Sequence, residues 1–202
     1  MKNKMNVLVR EGVILAAGAS ERTAPDCKLA FDLGGQTLLE LSIRSMAPFC
    51  DQIYVVTGSH EETVAGILQG WEGVTLVYNP DHALGMYSSV KAGLRRTTSS
   101  EVFLLPGDCP FVTSEVYTAL LEAKGRIVVP VWNGHMGHPV LLHRGAIQEL
   151  LEDSACESLR EFIGKRRPRK VPVSCKDILR DIDTREDYRQ ALQDLTEKGG
   201  SR

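Results

Sequence analysis

With 202 residues and 43% hydrophobic side chains, the chain supplies the core of one α/β domain more readily than two. A formal charge of −2 leaves no overall basic field, which argues against a nucleic-acid partner. Cys27, Cys50, Cys109, Cys156 and Cys175 are scattered without a Cys-x-x-Cys pair, and no long apolar stretch follows Met1-Lys2-Asn3-Lys4-Met5; a disulfide scaffold, a structural zinc site, a signal peptide and a membrane anchor are therefore not expected, and a reducing cytoplasmic location is.

Residues 13–17 form a short uncharged apolar run, the pattern of a strand buried on both faces, which ends at Gly18. Small and polar residues follow, then Arg22 and Lys28. A buried strand opening into such a loop leaves backbone N–H groups unpaired at its carboxyl end, where they can cradle an anion. The loop lacks the glycines of a dinucleotide fingerprint, the Gly-Lys of a Walker loop and the closing glycine of a hydrolase elbow. A phosphate-binding loop is still the expected reading, with an ordinary βα turn whose cations are merely solvated as the alternative.

The spacing then predicts a helix over 37–46, a strand over 53–57 ending at Gly58, a helix over 60–68, a strand over 74–78 closed by Asn79-Pro80, and a helix over 86–96. A strand over 102–105 stops at Pro106-Gly107-Asp108-Cys109-Pro110. Thr113 is placed to cap a helix over 114–124, and 127–131 reads as a further strand. This alternation predicts an α/β fold with a doubly wound, mainly parallel sheet and helices on both faces. Ligands of such sheets bind outside the strands' carboxyl ends, so Gly18 and Asp108 are expected on one rim. The last third is less regular. Strands are expected over 139–143, 171–173 and 178–182, helices over 146–151, 157–163 and 185–195, and a frayed polar tail over 197–202. Residues 1–196 are expected to form the domain.

Asp108, held between Gly107 and Pro110, is suited to Mg²⁺, which takes one or two carboxylates plus substrate phosphates; an Asp that only stabilises its own turn reads equally well. In Asp181-Ile-Asp183-Thr184, either Asp183 or Thr184 can cap the last helix. Gly85-Met86-Tyr87-Ser88-Ser89 offers N–H groups and hydroxyls to a base edge or a phosphate, although capping alone accounts for Ser88. His135 and His138 lack a third metal ligand nearby, so the stretch 133–139, with Gly137-His138-Pro139 at its end, reads as a pocket-lining loop rather than a zinc site. The basic run 165–170 is a solvated face or a docking surface for a polyanion or an acidic partner.

Taken together, Leu15-Ala-Ala-Gly18-x-Ser20-x-Arg22 with a following Lys28, Asn79-Pro80 with Gly85-Met-x-Ser-Ser89, Gly107-Asp-x-Pro110, Gly137-His-Pro139 and Asp181-Ile-Asp-Thr-x-Glu-Asp187 resemble a known family. The chain is similar over about residues 12–195 to the MobA-like nucleotidyltransferases and, within them, to the molybdenum-cofactor cytidylyltransferases of MocA type. The resemblance implies a Rossmann-like nucleotidyltransferase fold of the nucleotide-diphospho-sugar transferase type. It implies transfer of CMP from CTP to the terminal phosphate of molybdopterin, with Mg²⁺ as cofactor and a molybdenum hydroxylase as recipient of the product. Leu15, Ala16, Ala17, Gly18, Ala19, Ser20, Asn79, Gly85 and Met86 would then bind the nucleotide, and Arg22 and Lys28 its phosphates. Asp108 with Asp181 or Asp183 would hold the metal, and Ser88, Ser89, Gly137, His138 and Pro139 would border the second substrate. Between Arg22 and Lys28 the chain lacks the family's glycine, is one residue longer and carries Asp26. The alternatives are a non-catalytic protein that binds and delivers the cofactor, and a transferase using GTP or a sugar phosphate.

Overall fold

Six consecutive buried residues make β1 (Arg10–Ala16) the centre of the sheet in the computed structural model, which describes residues 9–19 and 26–199 apart from the side chains of 196–199. Ser20 and Arg22 lie outside the described residues. β1 pairs in parallel with β2 (Gln52–Thr57) on one side and with β4 (Glu101–Pro106) on the other, and β3 (Val74–Tyr78) extends the sheet beyond β2. Alternate residues of β1 feed opposite faces. Ile14 and Ala16 pack with Leu39, Ile43, Phe103 and Tyr117, while Val13 and Leu15 pack with Val90, Leu94 and Leu104. Burial on both faces accounts for the uninterrupted apolar run.

The helices of this half follow their expected periods. α1 (Leu38–Met46) opens with a reciprocal capping box, in which Glu40 N–H donates to Thr37 Oγ1 at 3.2 Å and Thr37 N–H donates to Glu40 Oε2 at 2.7 Å. α2 (Glu61–Ile67) and α3 (Met86–Leu94) start as predicted to within a residue and stop one or two residues short. α4 (Ser114–Glu122) begins after Thr113, whose hydroxyl engages the Glu115 side chain rather than a helix N–H. Glu11, at the buried start of β1, accepts Thr98 N–H at 2.6 Å and Ser99 N–H at 2.7 Å, which fastens the turn between α3 and β4.

Beyond β4 the sheet changes direction. β7 (Val140–His143) inserts antiparallel between β4 and β5 (Ile127–Trp132), so the fifth strand is not the next parallel neighbour. β6 (His135–Met136) continues the β5 hairpin, interrupted at Gly137-His138-Pro139. β8 (Arg169–Pro172) lies parallel to β5. α5 (Arg144–Glu152) and α6 (Leu159–Lys165) are each longer than their sequence pattern indicated or shifted along it, and Ser158 caps α6 through its hydroxyl.

The strand expected over 178–182 does not form; a 3-10 turn, Lys176–Leu179, stands there instead. Its backbone is shared between two elements, which prevents a ladder. Ile178 C=O accepts His138 N–H at 2.9 Å and Ile182 N–H donates to Asp108 C=O at 3.1 Å. The two isoleucines also pack into different clusters, Ile178 under the sheet and Ile182 with Leu33, Leu38 and Ala191. α7 (Arg185–Gly199) runs past Glu197, where fraying was expected. Among the described residues no helix is long and apolar enough to cross a membrane.

Gly93 sets the seating of α3 on the sheet. A Cβ there would stand 2.5 Å from Val13 Cγ1 and 2.8 Å from Val56 Cγ2, both in the packed interior. Gly93→Ala is expected to overpack this contact by about 1–3 kcal/mol, against which better helix propensity returns about 1 kcal/mol. A lower urea midpoint than the unaltered protein is the expected result; an equal or higher one would show that α3 is not seated by this glycine.

Candidate active site

Two strand ends meet at the site. Gly107 N–H donates to Leu15 C=O at 2.9 Å, and Ser42 Oγ, fully buried on α1, donates to Gly107 C=O at 2.9 Å. These bonds place the loop after β1 and the turn after β4 side by side at the carboxyl rim, where the doubly wound topology put them. Above them opens a cleft of about 800 Å³, in the range of small-molecule sites.

Its floor is Leu15 to Ala19. His60 Nε2 donates to Ala19 C=O at 3.1 Å, and a Cβ on Gly58 would collide with His82 at 2.5 Å, so the turns after β2 and β3 are packed tightly against this loop. Ser59 Oγ lies 3.3 Å from His82 Nδ1, and both side chains face the cleft. On the same wall Gly85 adopts φ +95°, a backbone that favours glycine, and turns the start of α3 with Met86 and Ser89 toward the opening.

Asn79, Ser88 and Pro139 are not on the cleft wall. Asn79 is buried and spent on its own turn: its amide donates to Ser88 Oγ at 2.9 Å and Ser89 Oγ at 3.0 Å, and its carbonyl accepts Asp81 N–H at 3.0 Å. Ser88 in turn bonds the Asp81 and Gly85 carbonyls, each at 2.8 Å.

The opposite wall carries the charge. Lys28, on the 3-10 turn Lys28–Ala30, places its ammonium 2.6 Å from Asp108 Oδ2 and 2.6 Å from Asp183 Oδ1. Burial draws this ammonium down, but the Asp108 charge and hydrogen bond, with Asp183 added, outweigh it and hold it above its ordinary value. The cap of α7 falls to Thr184, which exchanges bonds with Asp187 at 3.1 and 2.8 Å, so the Asp183 carboxylate is turned to Lys28. Asp181 lines the cleft as well; partial burial, then the Asp108 and Asp183 charges, raise its carboxyl. Burial, then the Asp108 and Asp181 charges, push the Cys109 thiol well above its ordinary value despite the nearby Lys28, which disfavours the reactive thiolate.

His138 and Gly137 close the far side. The His138 Nδ1 atom is buried without a hydrogen-bond partner, and burial lowers the imidazole to about 4 even though Asp108 pulls it upward. His135 stays exposed in β6. Among the described residues no three His, Cys, Asp or Glu side chains converge as a metal cage. Two carboxylates on one cation position do fit a divalent ion that completes its shell with substrate oxygens.

Sequence reasoning passed over Ser59, His82, Ile178 and Leu179, all on the cleft wall, whereas Met136 lies there within the loop 133–139 read as pocket-lining. Ser59 follows the end of β2, so the strand-end rule applied to every strand would have found it. The basic run is partly self-neutralised: Lys165 pairs with Glu161 at 2.6 Å, and Arg166 with Glu149 at 2.7 Å and Asp153 at 2.6 Å.

A model of the MobA-like NTP transferase domain matches residues 12–171. The chain is 27% identical over 186 residues to the molybdenum cofactor cytidylyltransferase of Escherichia coli (strain K12), covering 92% of this chain and 96% of that protein. In fold it is similar to a nucleotidyl transferase from Methanothermobacter thermautotroptrophicus, with a TM-score of 0.80 at 20% identity over 94% of this chain and 99% of the other. It is also similar in fold to the manganese complex of Rv0371C from Mycobacterium tuberculosis H37Rv, with a TM-score of 0.73 at 22% identity over 92% and 98%.

His138 provides a pH signature. Folded, it takes a proton only near pH 4; unfolded, near its ordinary 6.5. Between these values only the unfolded chain holds the proton, so His138 withdraws stability as the pH falls from 6.5 toward 4. His138→Gln is expected to flatten that part of the urea-midpoint profile, with no change above about pH 7.5. An imidazole resonance titrating near 6.5 in the folded protein would refute this.

Proposed function

The chain belongs to the MobA-like NTP transferase family and is a nucleotidyltransferase, and from this premise we propose that it joins the CMP of CTP to the terminal phosphate of molybdopterin and releases pyrophosphate. The observation that carries the reading is the convergence of Lys28, Asp108 and Asp183 beside the small-residue loop after β1. The choice of CTP and molybdopterin rests on the similarity to the E. coli enzyme over nearly the whole of both chains.

In this reading the backbone of Ala16 to Ala19 cradles the triphosphate and Lys28, with Arg22, neutralises it. Met86 and Ser89, with Ser59 and His82, lie on the side of the base, and Gly137 and His138 on the side of the acceptor. Asn79 acts from behind by fixing Ser88 and Ser89. Asp108 and Asp183 are the residues that would hold a divalent cation, taken as Mg²⁺, and such an ion supplies neutralisation of the charge that builds on the phosphoryl oxygens. An oxygen of the acceptor phosphate forms a bond to the α-phosphorus of CTP, and the bond from that phosphorus to the β-phosphate bridging oxygen breaks. The chain's part is to position and to neutralise, without a covalent intermediate. His138, kept neutral by burial, adds no competing cation at the acceptor side.

Asp26, the one negative charge in the altered loop, does not argue for a non-catalytic carrier. Its carboxylate lies 2.8 Å from Arg185 Nη2 on α7, so its charge is met at the surface. The five cysteines are free thiols, which suits a reducing compartment, and the cytoplasm is the proposed location.

Purified protein supplied with CTP, Mg²⁺ and molybdopterin is expected to release pyrophosphate, and Asp108→Asn to lower turnover by about 10²–10³. CTP at about 100 times its dissociation constant should stabilise the protein by about 2.7 kcal/mol in a thermal melt, with GTP giving less. Undiminished turnover in the variant, or turnover in excess chelator, would overturn the reading; a larger shift with GTP would reassign the nucleotide.

A further inference from the structure

The ammonium of Lys28 sits where the two carboxylates converge, and it cannot stay there beside a second cation. Asp108 and Asp183 come from positions 80 and 155 residues away in the chain, yet both place an oxygen 2.6 Å from the same Nζ. Lys28 and Asp108 are about 15% exposed at the side chain and Asp183 37%, so the group is half withdrawn from water but opens on the cleft. Asp181 adds a third carboxylate to the same wall. Leu29, the next residue, is buried and anchors the turn, so the mobile part is the four-carbon stem.

We propose that Lys28 is an exchangeable counter-cation: in the free protein it fills the carboxylate pair, and on nucleotide binding it moves to the triphosphate and yields the pair to a divalent ion. This rests on the transferase reading above. Metal and nucleotide are then coupled through one side chain. The divalent ion alone must displace Lys28, and the nucleotide alone must draw Lys28 from two ion pairs. Together, the phosphates receive the lysine and the carboxylates receive the metal, so each ligand assists the other. The coupling is reciprocal, since it is one free energy shared by two sites.

The test is Mn²⁺ binding, followed by the paramagnetic signal of the free ion, with and without the α,β-methylene analogue of CTP. Mn²⁺ alone is expected to bind the unaltered protein weakly, and to bind about 5–150-fold more tightly once the analogue is present. Lys28→Met and Lys28→Gln, which leave the carboxylates without the lysine, are expected to bind Mn²⁺ alone at least ~10-fold more tightly than the unaltered protein, and to gain less from the analogue. Lys28→Arg, which keeps the cation, is expected to stay weak. Two non-basic variants, both with cooperative melts, guard against a merely misfolded protein. Equal or weaker Mn²⁺ binding in both would overturn the exchange while leaving the transferase reading intact. Failure of the unaltered protein to bind Mn²⁺ even with the analogue would overturn the metal site of that reading and the exchange with it.

Discussion

The pairing of β1 with β4 is the constraint on which the rest depends. The parallel register brings Leu15 opposite Pro106, and the bond from Gly107 N–H to Leu15 C=O carries the pairing one step past the strands. Two loops with separate tasks are thereby held at a fixed spacing, one offering backbone N–H groups and the other a carboxylate. Gly107 eases this close approach, because a Cβ would stand 3.0 Å from the Leu15 oxygen. Ser42 braces the same turn from α1, so the helix on one face of the sheet also shapes the rim.

The site that this spacing creates is divided by chemistry. The wall built on β1 to β3 consists of small residues, glycine and neutral polar groups, arranged by a buried Asn79 that never reaches the cleft. The wall built on β4 and the chain's last third carries charge, and it is assembled from positions far apart in sequence. The segment around the 3-10 turn Lys176–Leu179 ties this second wall together by bonding to the His138 N–H and the Asp108 carbonyl. Gly137 lets it come close; a Cβ there would lie 2.3 Å from the Ile178 oxygen.

Much of the first wall was legible in the sequence, because it is local. The uncharged run ending at Gly18, the strand before Asp108 and the Gly85 start of α3 each show in a window of a few residues, and periodicity found most helices and strands of the parallel half. What was not legible is long-range. No local pattern says that β7 enters between β4 and β5, or that Lys28 bonds two aspartates rather than solvent. The apolar residues at 178 and 182 read as a strand because hydrophobicity does not report that they pack in separate clusters. Asn79 shows a related gap: its motif marked it for the ligand, whereas both amide donors and one carbonyl lone pair hold a turn. Ser20 and Arg22, read as parts of the phosphate loop, lie outside the described residues.

The way the sheet ends at β8 has a consequence of another kind. An outermost strand presents unpaired backbone groups to which a strand of another molecule can add, the usual route to aggregation. β8 begins with exposed Arg169 and Lys170 and closes with exposed Pro172, which has no N–H to offer. Two copies approaching edge to edge would bring four cations together and find the ladder cut short by proline. The exposed end of the basic run thus puts charge and a proline on an edge that would otherwise be open to strand addition.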